Sequence, residues 1–322
     1  MREERVRIGI SSWVDAALIE DGSFYPRKSM SAEARLRYYA RFFDTVEVNS
    51  AYYAIPDARN ARLWTERAPP GFLFNVKAYS LLTGHHPRAE TLPADVEALL
   101  PERPRRTHRG EIDRASVPPE AIDATFSLYR AALAPLADAG KLGYVLFQFA
   151  PWVHFDDAWL AYVARLPERL PGFTIAVEFR HRSWFPEHES ETLAALREAR
   201  MAHVIVDGPR TAGGIPRVTA ATSSTAVLRL HGRNVEGWLR QMRGEEPQVR
   251  EKYDYLYTED ELRELLPELE PIADDAEQVL ISFNNNNRAY PVKNALMMKR
   301  LLGQPVVSHP GVEAAAPRSL FD

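Results

Sequence analysis

Ionisable and polar side chains recur in this chain at the ends of short apolar runs, and these are the side chains that could do chemistry. The clearest case is residues 174–184, TIAVEFRHRSW, which open as an apolar strand and finish on Glu178, Arg180, His181 and Arg182. The same design places Ser11 and Trp13, Glu47 and Asn49, Lys77, Gln148, Asp207, Arg229 and His231, and Asn284 at the ends of other runs. Glu178 paired with Asp207 or Glu47 can transfer protons, and His231 can do so near neutral pH. Lys77 can hold an anion or, with cationic neighbours lowering its pKa, attack a carbonyl. Lys77, Arg180 and Arg229 suit a phosphate or carboxylate. The expected catalytic residues are therefore Glu178, Asp207, His231, Lys77 and Glu47. The expected ligand-binding residues are Ser11, Trp13, Asn49, Tyr52, Gln148, Arg180, Trp184, Arg229, Tyr255 and Asn284, the aromatic rings offering a platform for a sugar or base.

Charge balance narrows the chemistry. Glu47, Glu178 and Asp207 oppose Lys77, Arg180 and Arg229, so the group neutralises itself and no metal or cofactor is predicted. The alternative is a divalent metal held by Glu178, Asp207 and His231, opposed by the three cations. A buried ionic network that only closes the structure is the plain competing reading.

Eight strands must position these residues. The apolar runs fall at 6–13, 45–50, 72–79, 143–149, from 174, 203–207, 225–232 and 278–283, mostly separated by stretches with helical spacing such as 31–43, 119–139, 189–200, 258–269 and 292–302. The two-residue period puts Glu47 with Asn49, Asn75 with Lys77, Glu178 with Arg180, Arg229 with His231, and Asp207 with His203 and Ile205. Strand–helix alternation with right-handed crossovers predicts a (β/α)8 TIM barrel whose strand ends form one polar mouth. An open doubly wound sheet would need a glycine-rich phosphate loop after the first strand, and residues 11–14, SSWV, are not one. One domain is expected over 1–304, with an insertion at about 80–118 after the third strand and a loosely held tail over 305–322. The insertion carries Arg103, Arg105, Arg106, His108, Arg109 and Arg114, diluted by Glu102, Glu111 and Asp113, and reads as a solvated loop. Residues 234–250 read as a polar connection.

The bulk composition agrees. The chain has 322 residues, 45% of them hydrophobic, a net charge of −4 and no cysteine. That excludes disulfides, cysteine nucleophiles and thiolate-held metal centres. With no visible signal segment at the start and no apolar run of spanning length, a cytoplasmic location and no membrane partner are expected.

Several local signatures carry a resemblance. They are residues 9–13 with 24–26, residues 46–50 with Tyr52 and Tyr53, residues 74–78, and Gln148 before Pro151. Glu178 to His181 with Ser183 and Trp184, Asp207, residues 229–232, 253–255 and 283–285 complete the set. In this combination, over nearly the whole chain, the sequence resembles the YecE-like family, a domain of unknown function numbered seventy-two. The resemblance implies a TIM barrel and assigns no activity. A similarity to barrel endonucleases for abasic DNA has been suggested for that family, but the many strand-end histidines and carboxylates of those trinuclear zinc enzymes are missing here. Ile10, Ser12 and the arginine-bearing insertion depart from the pattern. The expectation is a metal-independent enzyme (a hydrolase, lyase or isomerase) acting on a small anionic, sugar- or nucleotide-like ligand, phosphorylated or carboxylated. A nucleic-acid-binding or metal-dependent phosphodiesterase barrel is the less favoured alternative, and a non-catalytic binding protein a third.

Overall fold

Eight parallel strands close on themselves in sequence order in the computed structural model, which describes residues 5–210, 214–243 and 251–313. They are β1 (Val6–Ser11), β2 (Thr45–Val48), β3 (Leu73–Lys77), β4 (Leu142–Gln148), β5 (Ile175–Glu178), β6 (Ala202–Asp207), β7 (Thr225–Leu230) and β8 (Gln278–Phe283). β8 pairs with β1 from Val6↔Val279 to Ile10↔Phe283, which completes the ring. The chain is thus a (β/α)8 barrel.

Each strand is buried on both faces. Outward side chains such as Ile8, Val46, Phe74, Phe147, Val177, Leu228 and Phe283 pack beneath the helices. Inward ones (Leu73, Tyr144, Leu146, Ala176, Ala202, Val204, Val227 and Leu280) fill the barrel. Small residues make room at the staves: a Cβ on Gly143 would lie 2.2 Å from Asn75 Oδ1. That contact fixes glycine there, because Asn75 is already turned inward to donate to Thr45 Oγ1 at 2.9 Å.

The outer layer includes the expected helices. Ser31 caps α2 (Ala32–Tyr39), and the long α5 (Pro119–Asp138) follows the insertion. α3 (Ala58–Arg67), α6 (Asp157–Ala164), α7 (Leu166–Arg169), α8 (Glu189–Glu198) and α12 (Tyr290–Leu301) complete most of it. Two elements were not foreseen. Asp15 accepts hydrogen bonds from Ala17 N and Leu18 N and starts a short helix, α1 (Ala16–Asp21), where a loop was expected. α9 (Val235–Met242) stands in the supposed polar connection, whose residues 244–250 lie outside the described residues. The helix expected over 258–269 divides into α10 (Glu259–Arg263), opened by a Thr258–Glu261 capping box, and α11 (Leu266–Asp275).

The insertion holds short 3-10 turns, α4 (Ala94–Glu97) and one antiparallel bridge between Arg106 and Ile112. The tail is docked as far as it is described, including α13 (Pro310–Glu313). His309 Nε2 lies 2.8 Å from Phe24 O and 2.9 Å from Tyr38 Oη, and Val312 joins the core. The expectation of a loosely held tail is therefore corrected up to residue 313, and residues 314–322 lie outside the described residues. No described helix is long and apolar enough to cross a membrane.

One strand has the opposite phase to that expected. β6 turns Ala202, Val204 and Val206 into the barrel, so His203, Ile205 and Asp207 face outward. With both faces buried, polarity does not reveal which alternation points inward. The charge of Asp207 suggested the wrong face.

Candidate functional site

Arg229 is the centre of the mouth. It leaves β7 pointing inward and is 1% exposed. Its Nε and Nη2 donate to Glu47 Oε2 and Oε1 across the barrel at 2.9 and 2.6 Å, a two-pronged pair. Its Nη1 donates to Glu178 on β5 and lies 3.3 Å from Gln148 Oε1. Ser11 Oγ donates to Glu47 Oε1 at 3.1 Å, Tyr144 Oη approaches Oε2 at 3.4 Å, and Ser282 Oγ sits 3.3 Å from Ser11. Glu47 and Glu178 are both fully buried. Removing one partner of such a buried set costs about 3–5 kcal/mol, so the network closes itself before it serves any ligand. The anion-holding role expected of Arg229 is accordingly not open to it.

Glu178 connects this floor to the rim. Its Oε1 lies 2.9 Å from Arg180 Nε and 3.3 Å from His231 Nε2, yet neither meets it in hydrogen-bond geometry. Burial alone would raise its pKa. Arg229, then Arg180 and His231, outweigh burial and hold the carboxyl well below the usual carboxylate range. Asn284 Nδ2 lies 2.8 Å from His231 Nδ1, and Arg229 Nη1 lies 3.3 Å from Nε2. Burial, with Arg180 and Arg229 adding to it against the pull of Glu178, draws His231 down to about 3. His231 is neutral and oriented by contacts at both ring nitrogens.

The rim is where cations lack partners. Lys77 ends β3, and its Nζ sits 4.3 Å above the centre of the Tyr52 ring. Among the described residues it makes no hydrogen bond or ion pair. Burial, then Arg229 and Arg180, pull it down to about 7 against the weaker opposing pull of Glu47 and Glu178. Tyr52 belongs to a 3-10 turn, Asn49–Tyr52, that follows β2, and Asn49 Oδ1 there is buried without a hydrogen-bond partner. Arg180 spends its Nε on Glu178 and lays its guanidinium over the Trp238 ring at 5.5 Å.

α9 and the 3-10 turn Glu251–Tyr253 bring in residues the sequence reading did not assign to the site. Lys252 Nζ lies 5.2 Å from the Trp238 ring and 4.7 Å from that of Tyr253, and the Tyr253 ring lies 6.4 Å from His231. Burial would raise the Tyr253 phenol, but Lys252, then Arg180 and Arg229, bring it below its usual range. His85, from the start of the insertion, packs edge-on to Tyr52 at 5.0 Å. Burial first, then Lys77 and Arg180, draws His85 down to about 3. Trp238 lies in the stretch 234–250 that reads as a connection, while Tyr253 stands out only within the 253–255 signature and Lys252 not at all.

Four expected site residues are elsewhere. Asp207 is held outside the barrel by Arg233 at 2.9 and 3.0 Å, Arg217 at 3.0 Å and Tyr257 Oη at 2.7 Å. Trp13 packs edge-on against Trp64 and Phe74 in the outer core. Trp184 stacks on Phe179 at 4.0 Å and donates to Val153 O. Tyr255 donates its hydroxyl to Glu261. Trp13 and Trp184 pack in the outer core just past β1 and β5, and Tyr255 packs edge-on to Tyr257 after the 251–253 turn. The supposed metal trio is divided by the strand wall between Asp207 and the other two. Among the described residues, no cluster of three or more His, Asp or Glu could hold a metal.

The mouth now has a different charge count from the one expected. Among the described residues, Arg229, Arg180, Lys252 and, when protonated, Lys77 gather with Glu47 and Glu178, and Glu111 acts on Tyr52 from further off. Two shallow surface depressions lie elsewhere, one near Ile55, Leu92 and Leu128 and one along Ala158, Tyr162 and Arg169, and neither gathers acid–base groups.

Residues 7–318 match the family described as "Protein of unknown function DUF72". The "UPF0759 protein YunF" of Bacillus subtilis (strain 168) is 31% identical over 319 residues, which is 98% of this chain and 99% of that protein. A crystal structure of a DUF72 family protein from Thermotoga maritima MSB8 is 28% identical, with a TM-score of 0.69, covering 93% of this chain and 99% of that one. One from Enterococcus faecalis V583 shares the fold at 24% identity, with a TM-score of 0.74, covering 98% and 99%. A closed eight-stranded barrel and a family match over nearly the entire length together establish that the chain belongs to the DUF72 family.

Proposed function

We propose that the mouth takes a small anionic ligand, a phosphorylated or carboxylated sugar- or nucleotide-like molecule, and acts on it as a metal-independent enzyme. The observation that carries this reading is the cationic surplus at the rim, with Lys77 lacking any counterion among the described residues. Its contact with the Tyr52 ring is worth on the order of 0.5–2 kcal/mol and leaves the charge of this partly buried ammonium without an opposite one. An incoming phosphate or carboxylate supplies the missing charge. Arg180 and Lys252 complete the anion site, each already backed by the face of Trp238. Glu178 stays ionised and offers Oε1 to a ligand hydroxyl. Tyr253 replaces Asp207 as the proton-moving partner, because its phenol is brought down by cations in the mouth while Asp207 lies outside it.

Melting curves with inorganic phosphate, sugar phosphates and sugar acids test the reading. Stabilisation by at least one anion, lost in Lys77→Met and Arg180→Ala, is expected. The absence of any anion-dependent shift in the unaltered chain contradicts it.

A further inference from the structure

The amine of Lys77 is placed for more than charge pairing. An anion-holding lysine is usually a solvated ammonium at the edge of a site. Lys77 is partly buried at the end of β3, and its Nζ lies 4.3 Å from the centre of the Tyr52 ring. The two carboxylates that could have paired with it are already taken, Glu47 by both prongs of Arg229 and Glu178 by Arg229 and Arg180. The titratable and charged groups around Lys77 are therefore Arg229, Arg180, Glu47, Glu178 and His85, and the nearest cations favour its neutral form. A neutral amine on the inner face of the mouth, beside an anion site, is a nucleophile for carbonyl carbon.

We propose that Lys77 forms a Schiff base with a small aldehyde or ketone that also carries a phosphate or carboxylate, the anionic group lying against Arg180 and Lys252. This rests on the anion-binding reading above and adds the carbonyl to it. The neutral Nζ attacks the carbonyl carbon, forming the C–N bond as the C=O π pair moves to oxygen. Nitrogen then gives up one proton and oxygen takes up two, one of them drawn from solvent, so that oxygen leaves as water while the nitrogen lone pair forms the iminium. Nothing is oxidised or reduced; amine, carbonyl and one proton become iminium and water. The iminium charge takes the place of the ammonium, next to Glu178.

Reductive trapping tests this on the unaltered full-length chain. The probes are dihydroxyacetone phosphate in one arm and pyruvate in the other, each with borohydride, which supplies the hydride that fixes the adduct as a secondary amine. Peptide mapping should find the adduct at Lys77, exceeding that at exposed lysines such as Lys28 by about tenfold or more at pH 7. The arm that labels tells whether the anionic group is phosphate or carboxylate. Lys77→Met should lose the adduct while retaining its far-ultraviolet circular dichroism. Probe-induced stabilisation without an adduct at Lys77 overturns the Schiff base and leaves the anion site intact. Labelling spread evenly over surface lysines also overturns it. If neither probe stabilises nor labels, and inorganic phosphate gives no shift, both readings fall together.

Discussion

Two carboxylate–guanidinium clusters lie either side of the barrel wall, and only one of them has atoms to spare. Outside β6, Asp207 receives Arg217 and Arg233 on Oδ1 and Arg233 and Tyr257 on Oδ2, so both oxygens are saturated. Tyr257 in turn accepts from Gly232 N at 2.9 Å, tying the strand end to the following loop. Inside, Glu47 is as fully used, but Glu178 Oε1 meets Arg180 as an ion pair without a hydrogen bond, and the Lys77 amine and Asn49 Oδ1 have no hydrogen-bond partner among the described residues. A saturated cluster is structural, because any ligand must first break bonds worth about 1.5–3 kcal/mol each. An unsaturated one meets a ligand without that cost. Charge at a strand end therefore says little by itself; the unmade bonds distinguish the two.

The largest effect should come from the inner floor. Arg229→Met leaves Glu47 and Glu178 buried without their partner and is expected to cost about 3–5 kcal/mol in urea denaturation. A loss under about 1 kcal/mol would mean that the floor is not the closed network described. Asp207→Asn should cost about 2 kcal/mol, through weakened charged hydrogen bonds, and leave anion-induced stabilisation unchanged. Loss of that stabilisation would show the outer cluster to be coupled to the mouth. Acid should weaken the inner cluster in two stages. His231 is neutral in the fold and takes up its proton on unfolding, so stability falls as pH drops from 6.5 towards 3. Glu178, held well below the ordinary 4.5, contributes stability present above that value and lost as pH falls through its folded pKa. His231→Asn should shrink the upper stage, to which His85 and His203 also contribute, visible as a flatter melting temperature between pH 6.5 and 4.5. Lys77→Met should change stability least among the inner residues, within about 1 kcal/mol, since it removes an uncompensated charge and keeps the length of the side chain. The exposed pair Arg37–Glu33 sets the baseline, and Arg37→Ala should shift stability by no more than about 0.5 kcal/mol.

The barrel was legible because its strands are apolar runs with punctuated ends, and β8 has the bounds its residues suggested. Ser11, Glu47, Lys77, Gln148, Glu178, Arg229, His231 and Asn284 were legible for a second reason. On each of those strands a charged or polar residue shares its phase with small or apolar inner residues, as Val227 does with Arg229. β6 defeated that rule, since Val204 and Ile205 are equally buried and either could have lined the barrel. Trp13 and Trp184 were mistaken for a platform because an aromatic just past a strand end can turn either way, and sequence carries no side-chain direction there. Trp238 and Lys252 were passed over, and Tyr253 was noticed only as part of a local signature, for the opposite reason. They reach the mouth from a helix and a turn rather than from a strand, and no periodicity links 238 to 253 across the intervening chain.

The reactivity of the Lys77 amine tests the central claim most directly. Acylation by a small amine-reactive ester, followed residue by residue over pH by mass spectrometry, should rise with a midpoint near 7 at Lys77, and saturating inorganic phosphate should protect it. A midpoint near the ordinary lysine value of 10.5, unaffected by phosphate, would show that the amine is solvated or paired and that the mouth has no vacant cationic site.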